Sequence, residues 1–258
     1  MRKIFAFLLA FALTAPAQYV PTNTLAGRQI ASAGGGTTVT FDAATHFECD
    51  GSGQGPQCTT NTVASFTHVT TTNANRGMVV NVCVGATTGL TAPLVSTVTY
   101  NSVSLSQTVH KAVGAPQYYC DLWQLPNGTQ PATGSNTVVV TLAGALPSIF
   151  SSVLVTAITA YNVNQTTALS VTGSNNGVGT STTLTLGASG ANDLVFAESC
   201  NGDSIGTSGN TSIHVTNYST HNGCGTHAAS RAAGNTTSIS WTGDSNDNWV
   251  VVAGAFKN

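Results

Sequence analysis

Charge is what this 258-residue sequence has least of. Seven Lys and Arg stand against nine Asp and Glu, together only 6% of the chain. With so few cations, the counterion release that drives nucleic-acid binding is missing. Attraction to an anionic membrane surface fails for the same reason. Long apolar runs are also lacking: none approaches the roughly 20 residues that a membrane-spanning helix needs. The run that opens the chain, MRKIFAFLLAFALTAPAQ, has Arg2 and Lys3 ahead of Ile4–Leu13, then the small residues Ala15-Pro16-Ala17. Residues 1–17 are therefore expected to be a cleaved secretory signal, and the protein to be secreted and extracellular with no membrane span. Its removal leaves 7 − 2 = 5 basic and 9 acidic residues, a formal charge of −4. Expected partners are neutral: a glycan, a polymer surface or another protein.

A C-x-x-C spacing is absent too, which argues against a zinc ribbon or a redox motif. The six cysteines that follow the signal fit an oxidising compartment. Six allow fifteen pairings, so their number alone settles none. Proximity pairs Cys49 with Cys58 around DGSGQGPQ and Cys200 with Cys224, leaving Cys83 with Cys120 on two strand-like segments. Each bridge is expected to stabilise the chain by roughly 2–4 kcal/mol.

Helical periodicity is hard to find after the signal. What recurs instead is short alternating or β-branched runs, from Thr37–Phe41 and Val63–Val69 through Val103–His110 to Thr237–Thr242 and Trp249–Phe256, in a chain with 41 threonines. Asn101-Ser102, Asn127-Gly128, Asn175-Asn176-Gly177 and Ala191-Asn192-Asp193 read as turns between them. More than a dozen strands without helices predict an all-β fold, a two-sheet antiparallel sandwich stabilised by disulfides. Ser151–Tyr161 and the closing WVVVAGAF are nearly continuous in apolar or small residues, so both are expected to be covered on both faces. The sandwich is assigned to 61–258, and the polar, Gly-rich stretch 18–60 to an N-terminal extension packed on it.

VTYNSVSL, YYCDLWQLPNGTQPATGSNTVVVTL, AITAYNVNQTT, ANDLVFAES and finally SISWT…NWVVVAGAFK occur in succession. Over about 77–257 this series resembles a recurrent domain of secreted bacterial and phage-related proteins. The resemblance implies a jelly-roll-like β-sandwich and carries no settled activity.

Several residue sets could carry chemistry. Gly202-Asp203-Ser204-Ile205-Gly206 has the spacing of a nucleophile elbow, with Ser204 as nucleophile. GDSIGTSG is also similar to the first block of GDSL-type esterases, although no D-x-x-H pair follows it here. His221 would be the base, and Glu198, one of only two glutamates, or Asp203 would orient it. The Gly-rich stretch after Ser204 is a poor helix start, so the plainer reading is a loop closed by Cys200–Cys224. Glu198, His221 and His227 could also form a two-His, one-carboxylate metal set, and His46-x-Glu48 is a second such pair. Asp244, Asn246 and Asn248 place oxygen ligands at alternate positions, like the start of a calcium loop, against the plainer reading of an Asx-rich turn. For a neutral sugar, Trp249 beside that turn is the best stacking surface, with Trp241, Tyr218 and Asn248 near it in the pattern. The expected function is a secreted, non-catalytic binding or surface-interaction module that requires no cofactor, with carbohydrate as a candidate ligand and calcium as a candidate ion. The alternative is an extracellular serine hydrolase using Ser204 and His221.

Overall fold

Valine, isoleucine and threonine are stiff at χ1 and pack well on a pleated surface, and every regular element among the described residues is a strand. The computed structural model describes residues 38–50, 63–85, 95–114, 118–144, 152–187, 190, 192–201, 205–207, 223–230 and 237–258. The strands form three antiparallel sheets, not the two expected. The central sheet has the order β1 (Thr40–Asp50), β9 (Ser152–Tyr161), β3 (Gly77–Gly85), β7 (Tyr118–Gln124), β6 (Ser106–Val113). The first outer sheet has the order β2 (Val63–Thr70), β8 (Gly134–Leu142), β4 (Val95–Tyr100), β5 (Val103–Ser104). The second outer sheet has the order β10 (Leu169–Leu186), β14 (Thr237–Phe256), β11 (Leu194–Asn201), β13 (Gly223–Ser230), with β12 (Ile205–Thr207) beside β14.

Alternation along each central strand sends side chains into two different cores. On β3, Val80, Val82 and Val84 meet Val98, Val138 and Val140 of the first outer sheet. The alternate residues Val79 and Cys83 meet Phe196, Cys200 and Val252 of the second. This is why β3 is buried at every position and reads as an unbroken apolar run. The same holds for residues 153–160 of β9 and 249–256 of β14, the two stretches expected to be covered on both faces.

The third core forms within the second outer sheet. β10 and β14 stay paired from Leu169↔Phe256 to Leu186↔Thr237, yet this ribbon folds back on itself. Leu186 and Leu184 reach Gly173 of the same strand, and the Asn175 amide donates to the Thr183 carbonyl at 2.9 Å. The bend lies where residues 243–246 of β14 stand against Thr180 alone and Gly179 has φ 145°. The overlay buries Ile239 and Trp241 against Val195, Ala197 and Val251.

Two other expectations need adjusting. Residues 40–50, within the segment 18–60 assigned to an extension, are an edge strand hydrogen-bonded along β9. Val103–His110, expected as one strand, changes sheets at the buried Leu105, β5 pairing with β4 and β6 with β7. Asn101 and Ser102 make the expected two-residue turn, with φ 47° and 65°. Cys83 and Cys120 are disulfide-bonded across β3 and β7. Cys200 is also disulfide-bonded, and the residue directly opposite it is Cys224. Cys49 lies on β1 opposite Val153, and Cys58 lies outside the described residues. Among the described residues no helix is long and apolar enough to cross a membrane.

Candidate functional site

The side-chain network best suited to proton transfer lies on β6 and β7, where no motif pointed. His110 and Asp121 are register partners. His110 Nδ1 donates to Asp121 Oδ1 at 2.8 Å, and the Tyr119 hydroxyl donates to Asp121 Oδ2, also at 2.8 Å. The Val95 amide donates to the Tyr119 oxygen at 3.0 Å, tying the network to β4. Asp121 is fully buried, whereas the His110 side chain is 41% exposed. A carboxylate can only accept, so Nδ1 carries a ring proton, and the tautomer this selects for the neutral ring has its lone pair on Nε2. Burial first, and then the neighbouring Asp121, push the Tyr119 phenol well above its ordinary range. Tyr119 therefore stays a hydrogen-bond donor at any physiological pH. A histidine held this way can act as a base or bind a metal through Nε2.

This pairing rests on an irregularity. The register shifts between Gln107 and Val109, so Thr108 is bulged out. An unbroken ladder running on from Gln107↔Trp123 would have brought Val109, not His110, opposite Asp121. Strand spacing alone could not reveal it.

A second histidine, His68, is fully buried between the central and first outer sheets. Its Nδ1 lies 3.0 Å from Thr45 Oγ1 and its Nε2 3.2 Å from Thr159 Oγ1. Burial lowers its pKa from 6.5 to about 3, so the ring is neutral and joins the sheets as an uncharged polar link.

The residues singled out from sequence are mostly not brought together. Ser204, Asp203, His221 and Tyr218 lie outside the described residues. Glu198 sits inside β11 and is fully buried. Its neighbours Phe196 and Cys200 face the central sheet, and alternation turns Glu198 the same way. Two contacts set its level: a Cβ on Gly77 would meet Phe256, the register partner of Leu194, while the Cys83 and Cys200 sulfurs are close. Asn81, four residues past Gly77, therefore comes level with Glu198, four past Leu194. Opposite Glu198 on the neighbouring strands are Thr226 and Val252, and His227 stands opposite Ala197. The metal set of Glu198 with His227 is thus not one register pair.

The tryptophans require the clearest correction. Trp241 is 1% exposed and Trp249 is 6% exposed. The Trp249 ring covers Gly177, its partner on β10, so neither indole presents a free face for a sugar. The run Asp244, Asn246, Asn248 lies within β14 at the bend of the ribbon, not at a hairpin tip. There the Asp247 carboxylate accepts from the Asn248 amide at 2.6 Å. His46 and Glu48 do meet, at 3.0 Å on the edge strand β1.

Comparison with known proteins gives no match: neither a family model, nor a curated protein, nor a solved structure is similar to this chain.

Among the described residues, the outer face of the first outer sheet is exposed to solvent. β2 alternates between a buried set and the exposed residues Val63, Ser65, Thr67 and Val69. Across it, Thr67 stands opposite Thr137, and Ser65 opposite Val139 and then Thr99. Thr97 stands opposite Thr141. Among the described residues, this face carries hydroxyl and methyl groups and no charged side chain.

Proposed function

We propose that the protein is a secreted, non-catalytic module that binds a neutral, hydroxyl-rich polymer through the outer face of its first outer sheet. The observation that carries this reading is the uncharged Thr/Ser/Val array on β2, β8 and β4. Its side chains repeat at about 6.7 Å along a strand and about 4.8 Å between strands. Such a lattice offers hydrogen-bonding groups and apolar methyls in regular alternation. With no ion to strip of water, adsorption costs little desolvation. A polysaccharide surface has matching chemistry: neutral, rich in hydroxyls and periodic. The disulfide-bonded Cys83, Cys120 and Cys200 suit an extracellular setting.

The test is retention of the purified chain on insoluble cellulose and chitin at low and high salt. Retention is expected to be nearly independent of salt, because no ion pairs contribute. It should fall at least tenfold in Thr67→Lys/Thr137→Lys with thermal stability unchanged. No retention on any neutral polymer, or unaltered retention by the double variant, rejects the proposal.

A second reading, general-base hydrolysis, draws on the His110–Asp121 pair with its open Nε2. Turnover of nitrophenyl esters that disappears in His110→Gln would favour it over the first. Turnover lost only in Ser204→Ala would favour the elbow serine instead.

A further inference from the structure

The sulfurs of Cys83, Cys120 and Cys200 all lie within 4.8 Å of one another, and all three cysteines are fully buried between the central and second outer sheets. Cys83 and Cys120 are bonded to each other and Cys200 is also in a disulfide, so in this state the trio is not a metal-ligand set. Two bridges instead meet face to face across the core. Their positions differ. Cys83 and Cys120 belong to β3 and β7, inner strands of the central sheet. Cys200 is on β11, and its register partner Cys224 is on β13, the edge of the second outer sheet. Edge strands open first, so a reductant meets this second bridge before the inner one.

We propose that this cluster is a thiol–disulfide exchange site in which Cys200 attacks the Cys83–Cys120 bridge. A dithiol reductant opens the disulfide that holds Cys200, and a Cys200 thiolate is released beside the inner bridge. It forms a bond to the sulfur of Cys83 or Cys120 and expels the other as thiolate, which takes up a proton. One S–S bond forms as one breaks, so this step needs no further oxidant. The outcome is mechanical: a bridge that joined two strands of one sheet now joins the central sheet to the second outer sheet. Exchange proceeds only when the attacking sulfur reaches the disulfide directly, and here proximity is built into the fold. Partial reduction would therefore relocate a crosslink and leave the two layers covalently tied.

The experiment uses the full chain carrying Cys224→Ser, which deprives Cys200 of its register partner. The folded protein is alkylated, digested without reduction and mapped by mass spectrometry. The expected result is Cys200 linked to Cys83 or Cys120, with the displaced cysteine alkylated. An intact Cys83–Cys120 bridge beside alkylated Cys200 overturns the proposal. Should that variant misfold, wild-type protein treated with limiting dithiothreitol gives the same decision. Alkylated Cys224 with Cys200 still bridged supports exchange. Alkylation of both Cys200 and Cys224, or opening of Cys83–Cys120 ahead of them, refutes it.

Discussion

The Trp249 indole occupies the space that a side chain at residue 177 would need. A Cβ on Gly177 would lie 2.6 Å from Trp249 Cζ2 and 2.9 Å from Cε2. The ring shields a bare stretch of β10 at the start of the ribbon's bend, so glycine and tryptophan are one structural unit. Gly177→Ala should cost about 1–3 kcal/mol through overpacking. Trp249→Ala should cost about 3–5 kcal/mol through the cavity left in the third core. Urea denaturation of each variant measures both. The double variant should cost less than the sum, because each change removes the other's reason for being there.

Stability is expected to fall with acid because of His68. Its folded pKa of about 3 lies below the unfolded value of 6.5, so the unfolded chain binds the extra proton between those limits. This contribution is fully present above pH 6.5 and declines as pH falls toward 3, by up to about 1.4 kcal/mol per pH unit. Denaturation midpoints across this range should show the slope in the wild type. His68→Asn should flatten it. An unchanged slope in that variant would assign the acid sensitivity elsewhere.

Asp121 holds two donors at once, so its loss should be felt on both sides. Asp121→Asn and Tyr119→Phe should each lower stability by about 1–3 kcal/mol, the second by leaving the Val95 amide without its acceptor. Asp121→Asn should also slow carbethoxylation of His110 at Nε2, because Nδ1 loses the carboxylate that fixes the tautomer. Peptide mapping after diethyl pyrocarbonate treatment reads this rate directly.

Among the described residues, Arg76 is the one buried cation. Its Nε and Nη2 donate to the Pro131 carbonyl at 3.2 and 2.9 Å, and its Nη1 donates to the Asn73 carbonyl. A planar fork serves both loops, which a single ammonium cannot do. Arg76→Lys should therefore destabilise by about 1–3 kcal/mol despite keeping the charge, as read by the shift in thermal midpoint.

Much of this fold was legible in the sequence, and the misreadings share a cause. β3, β7, β9 and the end of β14 announce themselves as apolar runs because both their faces are covered. Cys83 and Cys120 follow from assigning the nearer cysteine neighbours first. Asn175-Asn176-Gly177 and Asp244 to Asn248 look like turns because their residue types are those of turns. The first instead stays in the ladder, and the second forms a bulge beyond which the pairing resumes. Composition reports a change of backbone direction, not whether the ladder survives it. Alternation also counts buried faces without saying which sheet covers each, so three layers read as two. The His110–Asp121 pair stayed hidden because a bulge at Thr108 creates it. The tryptophans were misjudged because a glycine on another strand, not the polar residues beside them, decides where Trp249 goes.

The position of β14 bears on when this chain can fold. β14 lies in the interior of its sheet, hydrogen-bonded to β10 and β11. Neither of those strands has its full ladder until residue 256 has been synthesised. The central sheet is also late, since β1 must wait for β9, more than a hundred residues on. Pairings so distant in sequence close slowly. A nascent chain of this kind closes the interior ladders of its second outer sheet only near the end of synthesis.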